Sequence, residues 1–204
     1  MGKPRPTLPQ VHLIDLDPDL RAAWSEVFEP FEGVEVHEAD YFSVEAHAMV
    51  SPANSFGIMD GGLDLAIRNR LGFDVQARVQ KQIIELHHGE LPVGAALVVP
   101  TDHEAWPFLV VAPTMRVPEA LPRSLNAYLA FRAALTAVLH FNKASPASAI
   151  ESLVCPGLCT GIGQMTPRRC AAQMRVAYVH ASKPPRIPSF DEIHKVHLAL
   201  RMAE

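Results

Sequence analysis

Two glycine-rich stretches contain the residue types best suited to chemistry in this chain, and they run over residues 52–62 and 156–163. Glycine lets the backbone approach an anion closely. The free N–H groups and the positive end of a following helix then attract negative charge without any lysine. Both stretches therefore predict loops that hold phosphate, although glycines also make ordinary tight turns.

Each stretch lies between a short apolar segment and a helical pattern. Residues 48–51 and 152–155 are short and apolar, which predicts buried strands. Apolar residues recur at helical spacing over residues 62–71, and a helix is expected again over residues 167–181. Both units are thus predicted as strand, glycine loop, helix. Because ligands bind at the carboxyl ends of strands in such sheets, the two loops are expected to grip one diphosphate.

The rest of the chain alternates between strand and helix patterns. Strands are expected at residues 11–16, 34–39, 95–99 and 108–112, the last two paired, and helices at residues 19–28, 73–88 and 124–142. This alternation predicts an α/β fold with a mixed central sheet covered on both faces. A Pro-rich break at 183–188 precedes a last helix at 190–202, which we expect to dock on the core or on a partner.

Composition limits the class of protein. The 204 residues are 49% hydrophobic and 20% charged, which indicates one globular domain. The chain shows no apolar run long enough to cross a bilayer and no apolar secretion segment at its start, so we expect a cytoplasmic location. With a formal net charge of −4 and no basic run, direct binding to duplex nucleic acid is not expected.

Neither the cysteines nor the histidines reveal a metal site in the sequence. An odd number of cysteines without a CxxC pair argues against both a disulfide framework and zinc, and the paired histidines lack an obvious third ligand. The residues weighed are Cys155, Cys159, Cys170, His87, His88, His194 and His197. We therefore predict no metal and no cofactor. Rossmann, P-loop and GxSxG signatures are also absent, and Cys159 is expected to be a buried thiol rather than a nucleophile.

The two loops resemble those of the macro domain family. Residues 54–67, NSFGIMDGGLDLAI, are similar to the family's asparagine and glycine-run loop, and residues 156–163, PGLCTGIG, to its P-A-x-S-T-G-I segment. Asp40-Tyr41 stands where the family has G-D-I, and residues 108–113, FLVVAP, resemble its V-I-H-T-V strand. The resemblance covers about residues 34–181.

This resemblance implies a fold and a ligand. It predicts a three-layer α/β/α macro-domain fold over residues 1–182, followed by a Pro-rich linker and C-terminal helix over residues 183–204. The implied ligand is ADP-ribose, either free, as its 1″-phosphate, or attached to a protein or nucleic acid. The implied activities are ADP-ribose binding and hydrolysis of ADP-ribosyl linkages, including Appr-1″-p processing.

The resemblance also implies roles for individual residues. Asp40 is expected to accept a hydrogen bond from the adenine amino group, with the Tyr41 amide nearby, and Asn54 to contact the distal ribose. Asp64 matches the acidic residue that helps to activate water in hydrolytic members. The expected phosphate-binding residues are Gly61, Gly62 and Leu63 in the first loop and Cys159, Thr160, Gly161, Ile162 and Gly163 in the second.

The residues by themselves leave other interpretations open. Asp40 also suits a helix cap or loop, Asn54 an Asx turn, and Asp64 the first turn of a helix. Departures from the family pattern widen the choice, since Asp60 places a negative charge near a dianion. Ser51 and Pro52 stand where the family has an asparagine and an alanine. Gly163, Gln164 and Met165 stand where hydrolytic members have an aromatic residue over the ribose. The first hypothesis is an ADP-ribose binding module or hydrolase that uses Asn54 and Asp64, and the second is a catalytically inactive macro-like scaffold whose tail helix docks a partner.

Overall fold

The computed structural model describes residues 7–203, which alternate between strands and helices as the sequence predicts. The strands are β1 (Gln10–Asp15), β2 (Val34–Glu38), β3 (Ala48–Ser51), β4 (Leu97–Pro100), β5 (Phe108–Val111) and β6 (Ser152–Cys155). The helices are α1 (Pro18–Phe28), α2 (Gly62–Leu71), α3 (Asp74–His87), α4 (Asn126–Ala144), α5 (Pro167–Ala181) and α6 (Phe190–Met202). A single 3-10 turn, Pro146–Ser148, follows α4.

Within the described residues the strands form one six-stranded sheet in the order β2-β1-β6-β3-β5-β4. Neighbouring strands are parallel except for β4, which pairs antiparallel with β5. The α/β class, the mixed sheet and the pairing of its last two strands are therefore confirmed. Strands β3 and β6 lie in the middle and are almost entirely buried, as expected for strands that are covered on both faces.

Two apolar cores lie on opposite faces of this sheet. On one face α1, α4 and α5 bury the fully inaccessible Trp24, Phe131 and Leu135. On the other face α2 and α3 contribute buried Ile67 and Ile83. Because side chains alternate along a strand, each central strand contributes side chains to both cores. The sheet and the helices on its two faces therefore form three layers.

Some element bounds differ from the sequence-based prediction by two residues, for local reasons. Strand β4 begins at Leu97 rather than residue 95, because the Ala95 amide donates to the Pro92 carbonyl in a turn. Helix α4 begins at Asn126 rather than residue 124, because the amide and hydroxyl of Ser124 both donate to the Leu121 carbonyl. In both places a local turn captures the first residues of the pattern.

The C-terminal helix α6 docks on the domain through one end. Leu200 is its buried residue, and the Arg169 guanidinium of α5 donates to the Arg201 carbonyl at 2.9 Å. A capping box between Ser189 and Glu192 begins the helix. Placing the domain boundary at residue 182 stays a prediction. Among residues 7–203, no helix combines the length and apolar character needed to span a membrane.

Candidate ligand-binding cleft

The two glycine loops leave the carboxyl ends of adjacent strands. Strands β3 and β6 are parallel neighbours in the middle of the sheet, with Ala48 opposite Leu153 and Met49 opposite Val154. The chain then runs to α2 on one face and to α5 on the other. The space between connections that diverge in this way, outside the strand ends, is where α/β sheets bind ligands, and it is called the crevice below.

The first loop leads directly into an uncapped helix. Gly61 is the N-cap of α2 and supplies no side-chain hydrogen bond. Within residues 7–203, the N–H groups of Gly61, Gly62 and Leu63 donate to no protein acceptor. A Cβ added to Gly61 or Gly62 would meet nothing within 4 Å, so both glycines face open space. Gly62 has a φ of +56°, which favours glycine. The first loop thus presents free donors at a helix N-terminus.

Asn54 organises this loop from within. Its Oδ1 accepts from the amides of Phe56 at 3.0 Å and Ile58 at 3.3 Å, and its Nδ2 donates to the Ile58 carbonyl at 2.7 Å. The geometry therefore fits the Asx-turn interpretation of this residue, and its contact with a ribose stays a prediction. An asparagine amide has two N–H donors, so one remains for a ligand.

The segment after β5 fixes the first loop on its other side. The Thr114 amide donates to the Ala53 carbonyl at 2.9 Å, and its hydroxyl donates to the Pro52 carbonyl at 3.0 Å. The Ser55 amide donates to the Arg116 carbonyl at 3.2 Å. These bonds hold the loop in one shape before any ligand arrives, which lowers the entropy lost on binding.

The second loop contains two glycines that are packed and one that is open. A Cβ on Gly157 would lie 2.6 Å from Leu20 Cδ2, and one on Gly163 would lie 2.6 Å from the Cys159 carbonyl oxygen. A Cβ on Gly161, by contrast, would meet nothing within 4 Å. Gly157 and Gly163 therefore keep the turn tight, while Gly161 faces open space.

Free N–H groups line this turn as well, but they do not belong to a helix. In the described part of the chain, the amides of Thr160, Gly161 and Ile162 have no protein acceptor. Helix α5 begins only at Pro167, and its N-cap Thr166 hydroxyl accepts from the Arg169 amide at 3.4 Å. The expected order of strand, loop and helix is confirmed, but the expected direct contribution from the helix end is wrong for this loop. A proline at the first helical position and a capping threonine separate them.

Cys159 serves the turn as a buried side chain. It has a φ of +64° and is 4% exposed, and its Sγ lies 3.9 Å from the Thr114 carbonyl oxygen. Burial raises the pKa of its thiol to about 12. Since the thiolate is the nucleophilic form, Cys159 is inert at neutral pH, as the sequence interpretation expects. Cys155 and Cys170 are also free and buried.

Asp64 is a partly buried carboxyl group in the first turn of α2, at the edge of the crevice. The hydroxyl of Ser51, the last residue of β3, donates to its Oδ1 at 2.6 Å. Burial raises the pKa of Asp64 from an ordinary 3.8 to about 6, with the Ser51 hydrogen bond acting in the opposite direction. A carboxyl group that titrates near neutral pH in a cleft is suited to general acid or base chemistry.

The side chains of Asp40 and Tyr41 both form hydrogen bonds to the backbone near the strand ends. The exposed Asp40 carboxylate accepts from the Phe42 amide at 2.9 Å, which leaves its other oxygen free. The Tyr41 hydroxyl lies 2.6 Å from the Val50 carbonyl oxygen and 3.2 Å from that of Val154. Buried Tyr41 therefore bridges β3 and β6, and burial raises the pKa of its phenol. Its side chain sets the spacing of the two strands from which the loops leave.

Carboxylates belong to or lie beside both loops. Asp60 is exposed and forms no ion pair within residues 7–203, and Asp15 Oδ2 lies 3.0 Å from where a Gly157 Cβ would be. These two side chains repel an anion, so the free backbone N–H groups of the loops must supply attraction.

Comparison with known proteins identifies the family. The sequence profile described as Macro domain matches residues 50–174, which contain both loops. The chain belongs to the macro domain family.

Solved macrodomains share this fold at low sequence identity. The macrodomain of Mycobacterium tuberculosis DarG superposes with a TM-score of 0.57 at 18% identity, covering 74% of this chain and 96% of that one. An Oceanobacillus iheyensis macrodomain mutant with ADPR gives 0.53 at 19%, covering 66% and 69%. Thermosipho africanus DarTG in complex with ADP-ribose gives 0.53 at 18%, covering 74% and 42%. These similarities establish the three-layer fold.

Curated relatives are more similar in sequence. An uncharacterized protein of Aquifex aeolicus is 27% identical over 151 residues, covering 74% of this chain and 83% of its own length. Another, of Aeropyrum pernix, is 28% identical over 142 residues, covering 70% and 68%. Both extend the family relationship without assigning an activity.

In this macro domain most of the predicted site residues lie on the two loops or at the adjacent strand ends. The glycines lie on the loops, Asp64 lies in the first turn of α2, and Asp40 lies in the segment between β2 and β3. Sequence reasoning missed the hydrogen-bond partner of Asp64, which is Ser51. The position of Ser51 at the carboxyl end of the strand before the loop was the signal available for it.

Proposed function

We propose that this macro domain binds ADP-ribose, free or as the ADP-ribosyl group of a modified macromolecule, with its pyrophosphate between the two glycine loops. One observation carries the proposal. Adjacent parallel strands deliver two sets of unpaired N–H groups, centred on Gly62 and Gly161, to the same crevice. Backbone donors without a nearby lysine suit a diphosphate that is shared between two loops.

The groups beside the loops fit the other parts of this ligand. The free oxygen of Asp40 is available to the adenine amino group, and the remaining Nδ2 hydrogen of Asn54 to the distal ribose. Among the structures of similar fold, the Oceanobacillus iheyensis macrodomain mutant is a structure with ADPR, and Thermosipho africanus DarTG is a complex with ADP-ribose. These are properties of those proteins, and they support the same ligand class here.

We further propose that the cleft hydrolyses ADP-ribosyl linkages through Asp64. The ionised carboxyl takes a proton from a water molecule, the water oxygen bonds to the anomeric carbon, and the leaving group departs with the electron pair of the broken bond. The proton on Asp64 then passes to solvent or to the leaving group, which restores the carboxylate. A base with a pKa of about 6 is largely ionised at pH 7.5 and is still basic enough for this task. Ser51 holds one carboxylate oxygen, which orients the other. Asn54 positions the ribose.

Binding and turnover are tested separately. Calorimetry with ADP-ribose is expected to show one site per chain, with AMP as a control that lacks the pyrophosphate. Release of ADP-ribose from an ADP-ribosylated peptide, repeated with Asp64→Ala, then tests hydrolysis. Binding without release that depends on Asp64 indicates a reader. The absence of ADP-ribose binding contradicts the main proposal.

A second candidate function is an inactive scaffold that docks a partner through α6. Its support is the exposure of large apolar side chains on α6 and on the linker before it, with Phe190 79%, Met202 77% and the linker residue Ile187 94% exposed. This scaffold should give no heat with ADP-ribose and should lose its partner when residues 183–204 are deleted. Partner capture that survives the deletion excludes it. A cytoplasmic location stays a prediction for both candidates.

A further inference from the structure

His12, Glu35 and His37 meet on the outer strands of the sheet, away from the glycine loops. The parallel register of β1 and β2 places His12 directly opposite Glu35. Because side chains alternate along a strand, Glu35 and His37 point to the same face and flank the imidazole of His12. These three residues are called the edge cluster below.

The ligand atoms of the edge cluster form a compact triangle. His12 Nδ1 lies 3.0 Å from His37 Nε2 and 3.4 Å from Glu35 Oε2, and His37 Nε2 lies 3.5 Å from the same oxygen. Zinc bonds of about 2.0–2.1 Å in a tetrahedron separate ligand atoms by about 3.3–3.4 Å. The triangle therefore approaches the spacing of three zinc ligands without any change of backbone.

We propose that the edge cluster binds a zinc ion through His12 Nδ1, His37 Nε2 and Glu35 Oε2, with water as the fourth ligand. Two imidazoles and one carboxylate form a ligand set typical of zinc sites with an open position. Divalent cobalt, with similar ligand preferences, should occupy the same place.

Exposure and neighbouring contacts support this geometry. The side chains of His12 and His37 are 16% and 29% exposed, so packing restrains both rings, while that of Glu35 is 54% exposed and leaves the open position to solvent. The Gln10 side-chain Nε2 donates to Glu35 Oε1 at 3.1 Å. This bond orients the carboxylate and leaves Oε2 facing the histidines, as outer-shell partners do in metal sites.

The edge cluster is separate from the ligand-binding cleft. His12 precedes Asp15, the last residue of β1, by three positions, which places it about 10 Å below the strand ends that bear the loops. An ion here ties the outermost strand β2 to β1. Its expected effect is therefore on the stability of the sheet edge rather than on the chemistry at Asp64.

The test uses untagged, metal-free, full-length protein. Zinc binding is measured by calorimetry, and cobalt binding by visible absorption, because four-coordinate cobalt absorbs far more strongly than six-coordinate cobalt. One equivalent of zinc and a four-coordinate cobalt spectrum are expected. Each of the variants His12→Ala, His37→Ala and Glu35→Gln should weaken binding by more than about tenfold. The double variant His194→Ala/His197→Ala removes two exposed histidines of α6 and should bind as the wild type does.

Controls for folding distinguish a loss of zinc binding from a failure of the variant to fold. Circular dichroism identifies a variant that fails to fold, and the more exposed His37 and Glu35 supply the test if His12→Ala does so. Excess zinc should raise the melting temperature of the wild type but not of the folded variants. Absent zinc binding, a six-coordinate cobalt spectrum, or unchanged affinity in both His37→Ala and Glu35→Gln would overturn the proposal. The test uses no ADP-ribose, so its failure leaves the proposed function of the cleft intact.

Discussion

The two glycine loops of this macro domain start on neighbouring strands but present their donors by different means. The first ends at Gly61, where α2 begins without a side-chain cap, and both Gly61 and Gly62 face open space. The second is a tight turn in which Gly157 and Gly163 are packed closely against neighbouring atoms. The helix that follows it, α5, is capped separately by Thr166. One loop therefore combines free amides with a helix dipole, and the other supplies free amides alone.

This difference explains how an acidic rim can coexist with an anion site. The helix end of the first loop compensates for Asp60 and Asp64, which both lie beside it. The second loop has no such compensation and depends on rigid geometry. Substitutions in the second loop should therefore fall into two groups: those that disrupt the turn and lower stability, and those that change only ligand affinity. Substitutions in the first loop should act through the charge and the capping at the start of α2.

The largest effect is expected from Gly163→Ala. The new Cβ would lie 2.6 Å from the Cys159 carbonyl oxygen, a backbone atom that cannot move aside cheaply. The free energy of unfolding should fall by about 3 kcal/mol. Gly161→Ala, in the same turn but in open space, should change it by less than about 0.5 kcal/mol. Urea unfolding of both variants measures the contrast, and equal losses would show that the turn is not packed as described.

The next effect concerns Asp64→Asn and depends on pH. The folded pKa of about 6 exceeds the ordinary value of 3.8, so the folded protein favours the protonated carboxyl. The contribution of Asp64 to wild-type stability therefore falls as pH rises from about 4 to 6, and this cost persists above pH 6. Asp64→Asn should be more stable than the wild type by up to about 3 kcal/mol at pH 8 and by almost nothing at pH 3.5. Unfolding across this range checks the sign, and a difference that shrinks as pH rises refutes it.

A third substitution, Gly161→Glu, tests whether the second loop faces the ligand. The added carboxylate enters open space, so folding should be preserved, while repulsion should weaken ADP-ribose binding by at least about tenfold. Gly161→Gln matches its size without the charge and should weaken binding less. Calorimetry on the pair measures the difference. Equal and unaltered affinities in both variants would place the ligand elsewhere.

The smallest effects compare the two helix starts. Thr166→Ala should cost about 1 kcal/mol of stability because it removes the cap of α5, and it should leave ADP-ribose affinity unchanged. Gly61→Ser supplies a cap to α2 and should stabilise by a few tenths of a kcal/mol. Its hydroxyl competes for the same amides as the pyrophosphate, so affinity should fall. Thermal melts and calorimetry on the two variants check both directions, and weaker binding in Thr166→Ala alone would reverse the comparison.

Much of this fold follows from local sequence patterns. Short apolar segments bounded by Pro or Gly predict β3 and β6 with their observed bounds, and helical spacing predicts α2. The order of the strands is less accessible, because the position of β6 between β1 and β3 depends on packing between distant segments. The glycine patterns predicted the loops, but not which glycines are packed and which are open.

Side-chain partners were the least predictable feature. The hydrogen bond between Ser51 and Asp64 needs the strand end and the first turn of α2 in place together. His12 and His37 are 25 positions apart, and only the parallel register of β1 and β2 brings them together. A search for closely spaced ligands in the sequence therefore misses this pair. Both cases depend on tertiary geometry that no short motif encodes.

Backbone amide NMR shifts during an ADP-ribose titration test the central claim most directly. A single pyrophosphate between both loops should move the signals of Gly61, Gly62, Thr160 and Gly161 along one shared saturation curve. The amides of α6 should not move. Shifts confined to one loop, two curves with different midpoints, or no shift in either loop would contradict the account.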